Sequence, residues 1–519
     1  MSGREVLNSN YHAPVWNEPI IMEMGNPGER GVAVPRAPEI EQVVGEAASL
    51  LPEHMWRDDL AALPELAQPQ VLRHYLRLSQ MCLGNETGSD ISEGTTTQKY
   101  SPKLHERFVR SPQMAEVHPD QDPETFQGLL EIVHRFGEFM QEISGMDEFG
   151  FQAGGGAQAA YTAACVMRKY HEQRGELEQR DEIITTIFSH PCDSAAPATA
   201  GFKVVTLMPD ENGYPDLQTL KAAVSERTAG IMITNPEDTG IYNPRIDEYV
   251  KLVHDVGGIC YQDQANANGI LGIARARDAG FDACHFNLHK TFSSPHASEG
   301  PAVGALGVSR DLARYLPVPV ILQEGDRYRL DYDRPDSVGK IRSYYGNLHC
   351  VMRSYAWVRS MGPDGLREVA EIAVINNNYL QKKLLEIPGV TMPYAEGKRR
   401  LDQVRYSLET LKEETGIGTD DVRDRMVDFG IQAYWTSHHP WVVAEPFTPE
   451  PCESYSKDDC DEWAAVIRRI SDEAYRDPEL VRTAPHNQTV AKVKDPSVFE
   501  DPEKWAMTWR MYQKKLTAG

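Results

Sequence analysis

Two kinds of apolar spacing alternate between about residues 125 and 330. Where apolar residues recur three and four apart, a helix is predicted. Ile246–Val256 does this, with Tyr249, Leu252, Val253 and Val256 on one face. Short apolar runs such as Gly258–Gln262 predict strands buried on both faces. Regular alternation of the two argues for βαβ units around a mostly parallel sheet. Predicted strands end at Thr234-Asn235-Pro236, at Asp263 and at Lys290, and a helix running to Arg174 opens at Gly154-Gly155-Gly156-Ala157-Gln158. Open sheets of this kind gather their functional groups at the C-terminal ends of the strands.

The flanks read differently. Residues 1–65 carry many prolines and short apolar clusters, such as Trp16-Asn17-Glu18-Pro19-Ile20-Ile21, and predict an extended arm. A helical pattern passes through Val71–Leu76, and the large α/β domain is drawn over residues 66–345. Beyond it the spacing predicts a long helix over Leu366–Leu385 and a second over Asp461–Ala474, with Trp463, Val466, Ile467 and Ile470 on one face. Short strand-like runs lie between them, so residues 346–519 predict a smaller α+β domain. The aromatic segment Trp505–Met511 is expected to pack down, and there is no internal repeat.

Composition narrows the function classes. The 53 Lys+Arg against 77 Asp+Glu leave a net charge of −24, which argues against nucleic acid and anionic membrane surfaces as partners. No apolar run approaches the roughly 20 residues of a membrane helix, and the start of the chain has no apolar signal core. The eight cysteines are scattered without a CxxC, as in a reduced, cytoplasmic protein, and Cys260 and Cys284 sit in apolar strand patterns as core residues.

The chemistry centres on His285-Phe286-Asn287-Leu288-His289-Lys290-Thr291-Phe292. A buried ammonium is costly, and desolvation makes a lysine amine nucleophilic. The other reading is a strand-end lysine that reaches solvent. With Asp263 ending the strand before it, Lys290 matches the needs of pyridoxal phosphate chemistry: a lysine for a Schiff base, and an acid that keeps the pyridine nitrogen protonated. Asp263 could equally cap a following helix. The run Gly154–Gln158 could seat a phosphate at a helix start, or form a tight turn. His190, Thr234, Asn235, His289 and His296 are further candidates. The pair His438-His439 has no carboxylate or cysteine at ligand spacing, so no metal is predicted.

With these residues in view the chain resembles glycine dehydrogenase (decarboxylating) subunit 2, the C-terminal half of the glycine cleavage P-protein, over almost its whole length. Trp16–Met24, Gln98-Lys99-Tyr100-Ser101-Pro102-Lys103, His118–Asp122, Ala200–Val205, Thr234-Asn235-Pro236, Asn287–Phe292, Gly339–Arg342, Tyr345-Gly346-Asn347, Ala484–Asn487 and Thr508–Tyr512 carry the resemblance. It implies the fold type I pyridoxal phosphate architecture. By matching position it implies Lys290 as the Schiff-base lysine, Asp263 as partner of the pyridine nitrogen, and His190 over the ring. Gly155, Gly156, Ala157 and Gln158 would line the phosphate cup, with Thr234, Asn235, Ala265 and His289 completing the cofactor site. The implied activity is decarboxylation of an amino acid at its alpha carbon through an external aldimine. The aminomethyl group would pass to a lipoyl carrier protein, with a separate subunit 1 as partner, and a homodimer or higher oligomer is expected.

Several positions depart from the family. Its PHGGGGPG run reads Pro295-His296-Ala297-Ser298-Glu299-Gly300-Pro301-Ala302, and GSCTMKY reads Gly94–Tyr100 without Cys or Met. HGTNPAS reads His190-Pro191-Cys192-Asp193-Ser194-Ala195-Ala196, DGAN reads Asp263-Gln264-Ala265-Asn266, and Asn-Thr after Thr-Asn-Pro is Glu237-Asp238. Two expectations follow. One is the glycine dehydrogenase activity. The alternative is a divergent enzyme of the same lineage, independent of the carrier, in which Asp193, Glu237, Asp238 and Glu299 favour a cationic substrate.

Overall fold

The computed structural model describes residues 11–519 apart from 33–34, 36, 46, 57–62, 85–87, 90, 92–98, 296–301, 432–436, 438–439, 488–495, 507 and 519. Two compact units share the chain: Gly88–Ala484, and Ser9–Thr87 with Pro485–Gly519. In the smaller unit, Glu18 of the arm joins helix α1 (Gln68–Gln80) through His74 at 2.8 Å and Arg77 at 3.1 Å. The aromatic end forms a helix over Trp509–Ala518, and Trp505 packs edge-on against Phe499.

The larger unit is built on seven strands: β1 (Glu148–Ala153), β2 (Glu182–Thr186), β3 (Lys203–Leu207), β4 (Thr228–Thr234), β5 (Ile259–Asp263), β6 (Ala283–Asn287) and β7 (Gly304–Val308). Their order is β1-β7-β6-β5-β4-β2-β3. The pairs β2–β3, β2–β4, β4–β5 and β5–β6 are parallel, and β7 runs antiparallel between β1 and β6. The mostly parallel α/β sheet expected from the sequence is therefore present. Successive side chains leave a strand on opposite faces, so a sheet covered on both sides needs apolar residues at every position. Ile231 and Ile233 of β4, Cys260 of β5, and Cys284 and Phe286 of β6 enter one core with Phe136 and Trp357. Met232, Tyr261 and Ala283 enter the core on the other face with Ala160 and Val166.

Helices α2 (Gln127–Ser144), α3 (Gly156–Gln173), α4 (Cys192–Thr199) and α5 (Ile246–Asp255) contribute to these cores. Helix α6 spans Leu348–Leu384 but leaves helical geometry at Gly362, just before Pro363. The Leu366–Leu385 pattern thus reports only its second segment, because apolar spacing says nothing of a helix that restarts after a kink. Helix α7 (Lys457–Arg476) begins with a capping box in which Ser456 Oγ accepts from Asp459 N at 3.2 Å and Asp459 Oδ2 accepts from Ser456 N at 2.7 Å. Its Trp463, Val466, Ile467 and Ile470 join Leu380, Tyr406 and Phe447 in a third core.

One close approach positions the site. At Gly304, the first residue of β7, a Cβ would lie 2.5 Å from the Gly155 carbonyl oxygen and 2.7 Å from the Ala159 Cβ. The glycine loop before α3 rests directly on the sheet there. Gly304→Ala is expected to push that loop away and to destabilise the chain by about 1–3 kcal/mol, the range for overpacking, read as a lowered Tm in thermal unfolding.

Candidate active site

Two parallel strands, β4 and β5, end in register, and β6 beside them runs on to Asn287. Thr234 pairs with Asp263, and Asp263 with His285. The chain leaving β6 then turns to bring Lys290 to the same row of strand ends. That turn is held by Lys290 N donating to Asn287 O at 3.1 Å and by Ser294 N donating to Leu288 O at 3.1 Å. Leu288 and Phe292 anchor it in the core, and the Phe292 ring meets Phe136, Phe286 and Trp357 edge-on. Lys290 is 5% exposed, and its amine makes no hydrogen bond or ion pair with the described residues.

Asp263, also buried, accepts from Ala265 N at 2.7 Å. This is a local turn bond and not a helix cap, because a turn follows β5. Cys192 Sγ lies 4.0 Å from its second oxygen, and His285 Nδ1 lies 3.6 Å from its first. Burial holds the His285 imidazole below its ordinary pKa, and the Tyr261 hydroxyl bonds to its Nδ1. His190 Nδ1 accepts from Cys192 N at 3.1 Å, which leaves the hydrogen of the neutral ring on Nε2. His190 N donates to Thr234 Oγ1 at 3.2 Å.

His190, Thr234, Asp263, Ala265 and Lys290 line one cleft, together with Pro236, Asp238, Asn266, Asp402 and Gln403. Gly155 is the N-cap of α3 and Gly156 and Ala157 open it, with no side-chain cap. Its first backbone N–H groups therefore await an acceptor, and the helix dipole favours an anion. A Cβ at Gly156 would lie 2.7 Å from the Asn287 amide nitrogen and 3.0 Å from His285 Nε2. The helix start thus sits against the same His285 that faces Asp263. The Gln158 side chain accepts from Gly154 N at 2.6 Å and donates to Ile341 O at 2.8 Å, so it holds the loop in shape. Asn235 lies behind the cleft, accepting from Asn243 N at 2.9 Å on its side chain and from Gln262 Nε2 at 2.7 Å on its carbonyl. His289 is buried and does not line the cleft. Gly94–Gln98, His296, Ala297–Glu299 and His438-His439 lie outside the described residues. An amine buried without a partner among the described residues, a buried carboxylate and a helix start with no side-chain cap fit a phosphorylated aldehyde with a basic ring nitrogen.

Other residues of the site are not among the candidates, although Lys99 and Arg342 lie in runs that carry the resemblance. Lys99 is buried, pairs with Glu453 at 3.0 Å, and donates to Asn268 Oδ1 at 3.1 Å and Thr291 O at 2.8 Å. It also lies 4.7 Å from the centre of the Trp357 ring. It ties the Lys290 turn to two distant segments. Arg342 stands on the glycine loop, since a Cβ at Gly154 would lie 2.6 Å from its guanidinium. Arg405 pairs with Asp238 at 2.8 Å, both buried. Glu237 is buried against the Thr186 hydroxyl at 2.9 Å, and burial pushes its carboxyl well above the usual range. Burial pushes the Asp402 carboxyl up to about 6.

Two outcomes follow from this geometry. Lys99→Met leaves Glu453 without its partner, so a stability loss of about 3–5 kcal/mol is expected in denaturant unfolding. For Asp402 the folded pKa lies above the usual 3.8. Its contribution is therefore full below the unfolded pKa and is lost as pH rises through about 6. Asp402→Asn should gain stability relative to the wild type across that window, by about 3 kcal/mol at neutral pH, read as a raised Tm in thermal melts at a series of pH values.

Known proteins share this arrangement. A family described as "Glycine dehydrogenase, C-terminal domain" matches residues 369–490, and "Aminotransferase class-V" matches residues 146–328. The probable glycine dehydrogenase (decarboxylating) subunit 2 of Pyrococcus abyssi is 43% identical over 511 residues, 98% of this chain and 99% of that protein. That of Halalkalibacterium halodurans is 38% identical over 94% of this chain and 97% of its own length. Among solved structures, an inhibitor-bound glycine decarboxylase (P-protein) of the glycine cleavage system superposes with a TM-score of 0.69 at 17% identity, covering 85% of this chain and 100% of that one. A cysteine desulfurase from Thermococcus onnurineus gives 0.58 at 16% identity, covering 76% and 99%. These two likenesses carry the fold, fold type I, and the full-length relatives carry the kinship. The chain is a pyridoxal phosphate enzyme that belongs to the glycine dehydrogenase (decarboxylating) subunit 2 family.

Proposed function

We propose that this chain is the cofactor-bearing subunit of a glycine decarboxylase that works with a separate subunit 1 and passes its product to a lipoyl carrier protein. The observation that carries this reading is the Lys290 amine, buried at the strand ends with no ion pair among the described residues and in one cleft with Asp263 and His190. Bound there, pyridoxal phosphate supplies an electron sink that takes up the electron pair released as the carboxylate leaves.

The residues of the chain do the rest. Lys290 anchors the cofactor aldehyde covalently through its amine. Asp263 holds the proton on the ring nitrogen. The N–H groups that open α3 and the Arg342 guanidinium hold the phosphate. His190 offers a flat neutral ring whose Nε2–H faces a partner other than Cys192. Pro236, Ala265 and Gln403 wall a cleft suited to a small amino acid.

Glycine is favoured over a cationic substrate by two observations. The relatives that cover nearly the whole chain are named for glycine. Two of the acids that suggested the alternative are also engaged internally: Asp238 by Arg405, and Glu237 by Thr186.

The test is the absorption spectrum of the purified chain with added pyridoxal phosphate, titrated with glycine and other amino acids. A band near the visible edge that is lost in Lys290→Ala and responds to glycine is expected. Mixed with subunit 1 and the carrier, the chain should release carbon dioxide from glycine. Absence of the band sinks the role of Lys290. A band that ignores glycine and responds to a larger amino acid returns the alternative.

A further inference from the structure

The end of β5 and the start of α4 bring two acids together. Asp193 is fully buried and Asp263 is 2% exposed. One carboxylate oxygen of each lies with the Cys192 thiol inside a group whose members are all within 4.8 Å of one another. Asp263 has donors: Ala265 N at 2.7 Å and the Cys192 thiol at 4.0 Å. Asp193 has one, the Thr234 hydroxyl at 3.3 Å, and its other oxygen has no hydrogen-bond partner. Where the resembling family motif His-Gly-Thr-Asn carries an amide, this chain carries a second acid.

The surroundings do not offset two charges. From β4 comes a neutral hydroxyl, and from β5 the Tyr261 phenol. From β6 comes His285, held neutral by burial. From α4 and the turn before it come the Cys192 thiol and neutral His190. Asp238 adds a negative charge that Arg405 already meets. Lys290 lines the same cleft as Asp263 and acts electrostatically on Cys192 and His285, one cation against two acids. Two carboxylates this close and this dry cannot both ionise.

We propose that Asp193 and Asp263 share one proton, carried by Asp193, and that Asp193 is a positioning residue that fixes the charge Asp263 presents to the cofactor ring nitrogen. The pair then carries a single negative charge, which one protonated ring nitrogen matches. Burial first, and the neighbouring Asp263 second, push the Asp193 carboxyl well above the usual range. The positioning role rests on the cofactor reading above; the shared proton does not.

The experiment compares the wild type with Asp193→Asn, an isostere that keeps the shape, in two states. In the cofactor-free chain, infrared spectra at neutral pH should show a protonated-carboxyl stretch that the variant lacks. Because the folded pKa is raised, the Asp193 contribution to stability is present at acid pH and is lost as pH rises through that value. The wild type should therefore fall in Tm relative to the variant as pH increases. Equal infrared spectra and parallel Tm profiles overturn the shared proton. In the loaded chain the pair carries one charge in both proteins, but an amide donates a weaker hydrogen bond to Asp263 than the shared acid proton does, so the pH at which the cofactor absorption band titrates should rise in the variant. An unmoved titration with the stretch intact overturns the positioning role. Wild type that shows the stretch but binds no pyridoxal phosphate upholds the shared proton and overturns the positioning role together with the cofactor reading.

Discussion

A primary amine held dry, with no ion-pair partner among the described residues, is the constraint on which this site depends. Folding gains nothing from such a group, since burying an ammonium carries a desolvation penalty that an ion pair would normally offset. It persists because the chain on either side is anchored elsewhere. Leu288 and Phe292 are fully buried, and Phe292 sits among three other aromatic rings. Their apolar burial holds the turn whatever Lys290 does. Lys99 supplies the polar half of the same support by donating to the carbonyl of Thr291, the residue after Lys290. Strain of this kind is the usual mark of an active site, where a nucleophile is kept reactive by its surroundings.

Buried acids are distributed so that few remain as free charge. Glu450 accepts from the Asn266 and Asn268 side-chain amides at 2.7–2.8 Å, Asp238 faces Arg405, and Glu237 faces a hydroxyl. The net charge of −24 therefore describes the surface more than the cleft. Around Lys290 the local field is set by Asp263 and its neighbours. A site that must hold a protonated ring nitrogen and a phosphate needs one acid at one end and N–H donors at the other. The sheet provides this through geometry: β5 ends at the acid, and the glycine loop before α3 rests on Gly304 of β7.

What the sequence made legible follows from the range of the forces involved. The helix predicted over Ile246–Val256 occurs at Ile246–Asp255 and the strand predicted over Gly258–Gln262 at Ile259–Asp263, because periodicity is a local property. Lys290, Asp263, His190, Thr234 and Ala265 could be named from strand ends and from resemblance, and they line one cleft. Lys99 stands in a resembling run without a role, and Arg405 in none, because each acts on a partner far away in sequence: Lys99 on Thr291 and Glu453, Arg405 on Asp238. Gly304 has no motif, and its role is visible only as a close approach to Gly155. The kink of α6 escaped for a related reason, since apolar spacing on the two sides of Gly362 belongs to separate segments.

The departures from the family pattern are where sequence and structure part most sharply on function. Read along the chain, Asp193, Glu237, Asp238 and Glu299 look like a cluster of negative charge waiting for a cationic substrate, and the first three lie among the described residues. In three dimensions each has a different situation. Asp238 is the counter-ion of a buried arginine, and a salt bridge that is dry on both sides is expensive to open, because separating it would strand both charges. Glu237 faces Thr186 and is driven toward its neutral form by burial. Asp193 stands beside Asp263, so its charge competes with the acid that the cofactor ring needs. None of the three is an ionised group facing an empty space, which a cationic substrate would require. At these three positions the changes alter how the protein satisfies its own interior more than they alter what the cleft can recognise.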